Sequence, residues 1–371
     1  GCSFGITANT AYFGRFYPDS FVLSAPSFIN RNDISGCDIQ TTGTIAATSN
    51  SLSVVSAAGY AVGDTLIVRG AGSSGADLQA AATAITGTTI TLASAAATDV
   101  TGATVYKLAF SYEGESMLIG FTVNAFNGLT TPSVTKNYTG AWAGGTVSLQ
   151  AGNSGTDLSS RMTLGITPAW SSGAYVVNAA NAQLQRAAAP DGPYDNLQIG
   201  VAVSDPDGAP LLGLNMNPTA ASCTAPACTG VTVANTRIRF GRLILSNAHG
   251  SELLALPVPA VTQYWNGKLF VTNTDDSCTK LTAANFVLAK SPAACTSTLS
   301  PIATFAAGKN SLTLSAPGAA CRIDLTANLT AENEAYLQGN WSGAGYTQNP
   351  TARITFGIYK SGPVIYLREL H

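Results

Sequence analysis

The stretch "NAHGSELLALPVPAVTQYWNG", residues 247–267, decides how the chain is read. It is apolar enough for a core, yet Pro257 and Pro259 keep it out of a helix interior and away from a central ladder position. Leu253, Leu254, Leu256 and Val258 therefore read as the core-facing part of an extended segment. Tyr264 and Trp265 lead into Asn266-Gly267, a dipeptide favoured in tight hairpin turns. With one acid and one histidine, the stretch reads as β framework and not as a reactive site.

The same period of two recurs along the chain. "SLSVVSA", "DTLIVRG", "TTITLAS", "SMLIGFTVNAF", "RIRFGRLILSN", "KLFVTN", "SLTLSA" and "RITFGIYKSGPVIYLREL" alternate apolar and polar residues between Gly, Pro, Asn or Asp punctuation. In the terminal segment 352–370, Ile354, Phe356 and Ile358 share one face, and Arg353, Thr355, Gly357 and Tyr359 the other. Helical patterning is confined to 330–341, with Thr330 as N-cap, and more weakly to 178–188. The expected class is all-β: β-sandwich domains with a small inserted β-barrel-like module and few short helices.

Segment 41–108 is built almost wholly of Ala, Gly, Ser, Thr and Val. It reads as strands 52–57, 64–69, 78–85, 88–93 and 103–109, too regular for a structureless connection. The expected organisation is a first sandwich from 1–40 plus 109–190, the insert at 41–108, and a second sandwich over 191–371.

Of the 371 residues 46% are hydrophobic, so a substantial core can form, but only 10% are charged, against roughly 25% in an average domain. Hydroxyl and amide side chains make up the difference, as on secreted or surface proteins. A net charge of −2 gives no field to gather nucleic acid or anionic lipid. No run reaches the ~18 apolar residues of a membrane span. Seven cysteines stand at 2, 37, 223, 228, 278, 295 and 321 without a CxxC pair, which favours disulfides in an oxidising, extracytoplasmic compartment over zinc. The expected pairing is Cys2–Cys37, Cys223–Cys228 and Cys278–Cys295, leaving Cys321 over.

The sequence has no GxSxG, HExxH, Walker or GxGxxG signature, and no cofactor is expected. Its two histidines are His249, read as a turn residue, and His371. Glu113 and Glu115 in "YEGES" form a spacing that glycoside hydrolysis could use, or two acids on a solvent-facing strand edge. Asp205 and Asp207 in "SDPDGAPL" open like a calcium loop, but Leu214 stands where an EF-hand needs its Glu, so a β-turn competes. Trp142 in "GAWAGG", with Tyr138, offers rings that stack on sugars or simply pack.

Two resemblances add to this reading. Segment 41–108, through "AAGYAVGDTLIV", "GAGSSGADL" and "ITGTTITL", resembles a small β module of phage-tail and surface-fibre proteins. "GRLILSNAHGSELLALPVPAVTQYWNGKLFVTNTDDSC" (241–278) and "NPTARITFGIYKSGPVIYLREL" (349–370) resemble the end of the C-terminal large domain in the MSHA (mannose-sensitive haemagglutinin) type IV pilus biogenesis MshQ family. "FGRFYPDSF" (13–21) and "FSYEGESMLIGFTVNAFN" (110–127) resemble its start. Two departures are expected: the insert, which replaces a short connection in typical members, and the absence of the N-terminal lectin-like domain of many relatives. The resemblance implies an extracellular, pilus- or fibre-associated structural or adhesive protein without catalytic residues. Its implied partners are fibre subunits, further copies of itself, or host and surface glycans. The alternative is a carbohydrate-binding or carbohydrate-active surface protein with its site in the 128–175 or 190–230 loops.

Overall fold

The computed structural model describes residues 17–32, 34, 37–330 and 333–357. Among them every regular element is a strand, apart from five single-turn 3-10 segments. The alternation explains this directly. In Leu256–Trp265, residues 256, 258, 260 and 262 are buried while Pro257 and Pro259 are exposed, so the prolines stiffen the strand without entering the core. The protein is all-β.

The chain forms two compact units. The first takes its residues from the segments up to 30, 116–184 and 196–236. One of its sheets runs Ser20–Ile29, Met117–Phe126, Ala174–Leu184 and Met162–Leu164, with Trp170–Ser171 also on Ala174–Leu184. The other carries Thr156–Asp157, Thr146–Asn153 and residues 196–204, followed by 231–236. Phe21, Ile119, Val123, Leu197, Ile199 and Val201 are buried.

The second unit takes in 31–115, 185–195 and the chain from 237 onward. Its first part closes into a six-stranded barrel. The order is Gln40–Ile45, Ser51–Val54, Thr89–Leu92, Leu78–Thr86, Thr65–Val68 and Val100–Lys107, which returns to Gln40–Ile45. Leu52, Leu66, Val68, Ile90, Leu92 and Val105 fill it. Closure leaves the barrel without free edges. Gly43 is required inside the barrel, since a Cβ there would lie 2.9 Å from the Ser53 carbonyl oxygen. Gln40 pairs with Tyr106, so the two ends of the segment leave side by side.

Beyond residue 237 two four-stranded sheets share one core. The first joins Gly241–Leu245, Leu256–Trp265 and Phe270–Thr272, with Lys309–Leu314 pairing the 256–261 half of Leu256–Trp265 on the same edge as Phe270–Thr272. The second runs Ala248–Gly250, Thr351–Phe356, Cys321–Ala327 and Phe286–Ser291. Val258, Leu312, Leu314, Ile323, Leu325, Ile354 and Phe356 form the common interior.

Several local expectations are corrected. Residues 178–184 belong to the Ala174–Leu184 strand, and among the described residues of 330–341 the one helical element is the single turn Ala335–Leu337. Gln40–Ile45 is an additional strand without a sequence signal of its own, because "QTTGTI" has a single aliphatic residue and a glycine. Leu253 and Leu254 are 70% and 67% exposed, not core. The strand starts only at Leu256, and the Ser251 hydroxyl accepts the Leu253 N–H in a preceding turn. The returning strand of the expected 352–370 hairpin lies outside the described residues.

Two outcomes follow. Phe356 is fully buried, so Phe356→Asp is expected to cost about 4 kcal/mol by combining lost apolar area with a buried charge. Denaturant unfolding will measure it, and a variant as stable as the wild type would remove Phe356 from the core. Replacing 41–107 with a short Gly-Ser linker is expected to leave the rest unfolding cooperatively, because the barrel's hydrogen bonding closes on itself. Loss of a cooperative transition would show that the barrel is integral to its unit.

Candidate functional site

In a chain with so few charges, the buried ones reveal what the framework needs. Arg31, in the second unit, is 1% exposed and sits at φ +46°, a left-handed backbone that non-glycine residues rarely adopt. Its N–H donates to the Ser111 hydroxyl at 3.1 Å. Its guanidinium divides among three partners: Nε to Glu115 Oε1, Nη1 to Asp276 Oδ1 and Nη2 to Thr279 Oγ1, each at 2.8 Å. The rings of Phe110 and Tyr112 lie 5.0 and 5.2 Å from it.

The acceptors are held as firmly. Glu115 Oε2 takes the Tyr112 N–H at 2.7 Å. Asp276 Oδ2 accepts the Tyr112 hydroxyl at 2.8 Å and the Thr279 hydroxyl at 2.6 Å, and Oδ1 accepts the Thr279 N–H at 3.0 Å. Asn273 donates to the Tyr112 oxygen. Burial would push the Asp276 carboxyl up, but Arg31 and the Thr279 bonds outweigh it and hold it down at about 2. Tyr112 is pushed well up, by burial first and by Asp276 second. Around this centre Arg237 and Arg239 both bond to Asp275 Oδ2, at 2.9 and 2.7 Å.

The disulfide Cys37–Cys278 closes beside this centre, two residues from Asp276, and joins cysteines 241 positions apart. It corrects the expected Cys2–Cys37 bond; Cys2 lies outside the described residues. Cys295 bonds to Cys321, not to Cys278, because Phe286–Ser291 pairs with Cys321–Ala327 in a register that sets Ser291 against Arg322 and brings the two sulfurs together. Cys321 is therefore not left over. Cys223 bonds to Cys228. A cleft of about 540 Å³ opens beside Cys37–Cys278, and its charges are paired: Lys107 with Asp64 at 2.5 Å, and Arg237 with Asp275.

The residues singled out from sequence fare differently. Glu113 and Glu115 are fully buried, not solvent-facing. Glu113 Oε2 accepts the Ala187 N–H at 3.0 Å, while Glu115 serves Arg31. Asp205 acts as a turn anchor: it accepts the Tyr138 hydroxyl at 2.7 Å and the Asp207 N–H at 3.1 Å. Among the described residues no cluster of three or more metal-ligating side chains occurs. Tyr138 is 1% exposed, set edge-on to Trp170 and Phe21, so it has no face to offer a ligand. Trp142 stands 67% exposed. His249 is exposed in the short strand Ala248–Gly250. Sequence reasoning missed Arg31, Asp276 and Arg186. Arg186 donates to the carbonyls of Gly241, Gln338 and Tyr346 at 2.6–2.8 Å, and burial lowers it to about 10.

Residues 88–230 match the family model described as DUF6701, third domain, and residues 239–370 match DUF6701, fourth domain. No curated protein matches the chain in sequence. Among solved structures it is similar to the Yersinia pseudotuberculosis adhesin InvE, at 13% identity and a TM-score of 0.20 over 67% of this chain and 56% of that one. It is also similar to the Escherichia coli adhesin FdeC, at 13% identity and a TM-score of 0.29 over 92% and 99%. Invasin, a bacterial integrin-binding protein, matches at 13% identity and a TM-score of 0.23 over 86% and 60%.

The pH dependence of the Arg31 centre is testable. The Asp276 carboxyl lies below its ordinary value of 3.8 in the folded protein, so its stabilisation is complete above about pH 4 and is lost as pH falls through 2. It amounts to roughly 2 kcal/mol. Unfolding free energies between pH 5 and 2 are expected to fall more steeply for the wild type than for Asp276→Asn. Parallel pH profiles would contradict the assignment.

Proposed function

We propose that this chain, which carries the third and fourth domains of the DUF6701 family, is a segment of an exported cell-surface protein that acts by making contacts rather than by catalysis. The observation that carries the reading is the Cys37–Cys278 bond. It fastens remote parts of the sequence next to a buried ion cluster, and such bonds persist in oxidising compartments outside the cytoplasm. The cluster itself supports the same reading. Its acids and arginines bond to one another, which suits a rigid framework and leaves recognition to the surface.

That surface is rich in hydroxyl and amide groups, and a net charge of −2 puts little repulsion between copies or partners. Adhesion or packing within a fibre is the activity proposed. Association with a type IV pilus is the finer part of the proposal, and it rests on the resemblance of 241–278 and 349–370 to the MshQ family.

The test combines location and activity. Thiol labelling and protease accessibility on intact cells are expected to find the chain outside, with Cys37 and Cys278 oxidised. The purified chain is expected to bind cells or fibres without releasing reducing sugar from polysaccharides. Turnover of a polysaccharide at enzymatic rates, or free thiols at Cys37 and Cys278 in the native protein, would overturn the proposal.

A further inference from the structure

The outer face of the sheet formed by Gly241–Leu245, Leu256–Trp265 and Phe270–Thr272 gathers an arginine, a glutamine and several aromatic rings. Register places Arg242, Gln263 and Thr272 in one cross-strand row, and Trp265 beside Phe270 in the next. The Arg242 guanidinium lies 3.8 Å from the Phe270 ring centre and 5.3 Å from that of Trp341. Trp265 and Phe270 meet at 5.4 Å, Phe270 and Tyr346 at 6.0 Å. These rings are partly open to solvent, Trp341 the most at 39%.

The loop bringing Trp341 and Tyr346 onto this face is built in place. Arg186 holds the Gln338 and Tyr346 carbonyls. Gln348 Oε1 accepts the N–H groups of Trp341 and Ser342 at 2.6 and 2.9 Å. Gly339 leaves room for the indole, because a Cβ there would meet the Trp341 ring. A recess of about 90 Å³ opens beside the indole, lined by Ile244, Leu245, Trp341, Pro350 and Thr351.

The charge on this face has one sign. Arg242 donates Nε and Nη2 to Gln263 Oε1, at 3.0 and 2.9 Å, and makes no other hydrogen bond and no ion pair among the described residues. Lys309, opposite Val261 on the neighbouring strand, and Lys268, in the hairpin turn, are both exposed. None of the four strands of this sheet carries an acid, and neither does the loop 338–349. Every buried arginine of the Arg31 centre has a carboxylate; Arg242 has an aromatic bed and a vacant Nη1.

We propose that this face binds an acidic polysaccharide, its uronate carboxylate paired with Arg242 and its pyranose C–H faces laid on Trp341 and Trp265. The guanidinium fork matches a carboxylate, and rings backing it strengthen the contact as water is displaced. A shallow aromatic floor with a single fork suits a flat sugar chain better than a peptide, which needs deeper pockets for its side chains. The proposal rests on the surface-contact reading above and supplies its ligand class.

Affinity electrophoresis of the full chain through polygalacturonate tests it, with fully methyl-esterified pectin and neutral dextran as references. Retardation is expected in polygalacturonate and not in the other two. Arg242→Gln and Trp341→Ala are each expected to weaken it about tenfold or more, and Lys309→Gln by less, with thermal midpoints near the wild type. Absence of retardation, or equal retardation in the esterified and neutral polymers, would overturn the proposal. So would an Arg242→Gln or a Trp341→Ala variant that migrates like the wild type; glycan binding would then lie elsewhere, and the surface-contact reading would survive. Preferential capture by vesicles containing phosphatidylglycerol would assign the face to a membrane instead. Release of reducing ends is followed in the same samples, because it bears on the surface-contact reading alone.

Discussion

The second unit depends on one buried cation. Arg31 occupies a strained left-handed backbone position with almost no water, so its charge must be met inside the protein. Two carboxylates, a threonine hydroxyl and two aromatic rings meet it. The segments supplying them are far apart in sequence: 110–115 follows the barrel, and 273–279 follows the hairpin after Trp265. Removing one partner from such a cluster leaves an uncompensated buried charge, costing roughly 3–5 kcal/mol. The cluster therefore fixes how three stretches of chain come together more than it adds net stability.

The Cys37–Cys278 bond has the same effect by covalent means. Asp276 and Cys278 are two residues apart, and the Cys278 N–H donates to Asp276 Oδ1. Oxidation of the pair thus restrains the loop that presents Asp276 to Arg31. Polar cluster and disulfide restrain one set of segments, which explains why a chain so poor in charge concentrates several of its charges here. The sheet face around Arg242 is the counterpart: a cation that the framework leaves without a carboxylate, on a floor of rings held by Arg186 and Gln348.

The all-β class and many strands were legible because alternation over four to ten residues needs no tertiary information. Leu256–Trp265 could be read from its prolines and its Asn-Gly turn. The barrel was visible in its turns, although its first strand was missed for want of apolar residues. The Arg31 centre was not legible, since nothing local relates Arg31 to Glu115 or Asp276; only the fold brings them together. The faint signal was acids crowded into "YEGES" and "NTDDSC" in a chain with few. Glu113 and Glu115 were noticed for their spacing, but partners on distant segments decided that they are buried. Cys223–Cys228 was legible because it is local; the other two pairings were not, since Cys295–Cys321 follows strand register and Cys37–Cys278 follows the long-range fold. Tyr138 and Trp142 read alike in a Gly-rich loop, and only packing separated a core ring from an exposed one.

The central claim is that Arg31 and Asp276 act as one structural unit. A double-mutant cycle with Arg31→Met, Asp276→Asn and the pair, followed by denaturant unfolding at neutral pH, measures it most directly. The account predicts that the double variant loses less stability than the two single losses added together, by at least about 1.5 kcal/mol, because each single change strands the other group. Losses that add to within about 0.5 kcal/mol would contradict it.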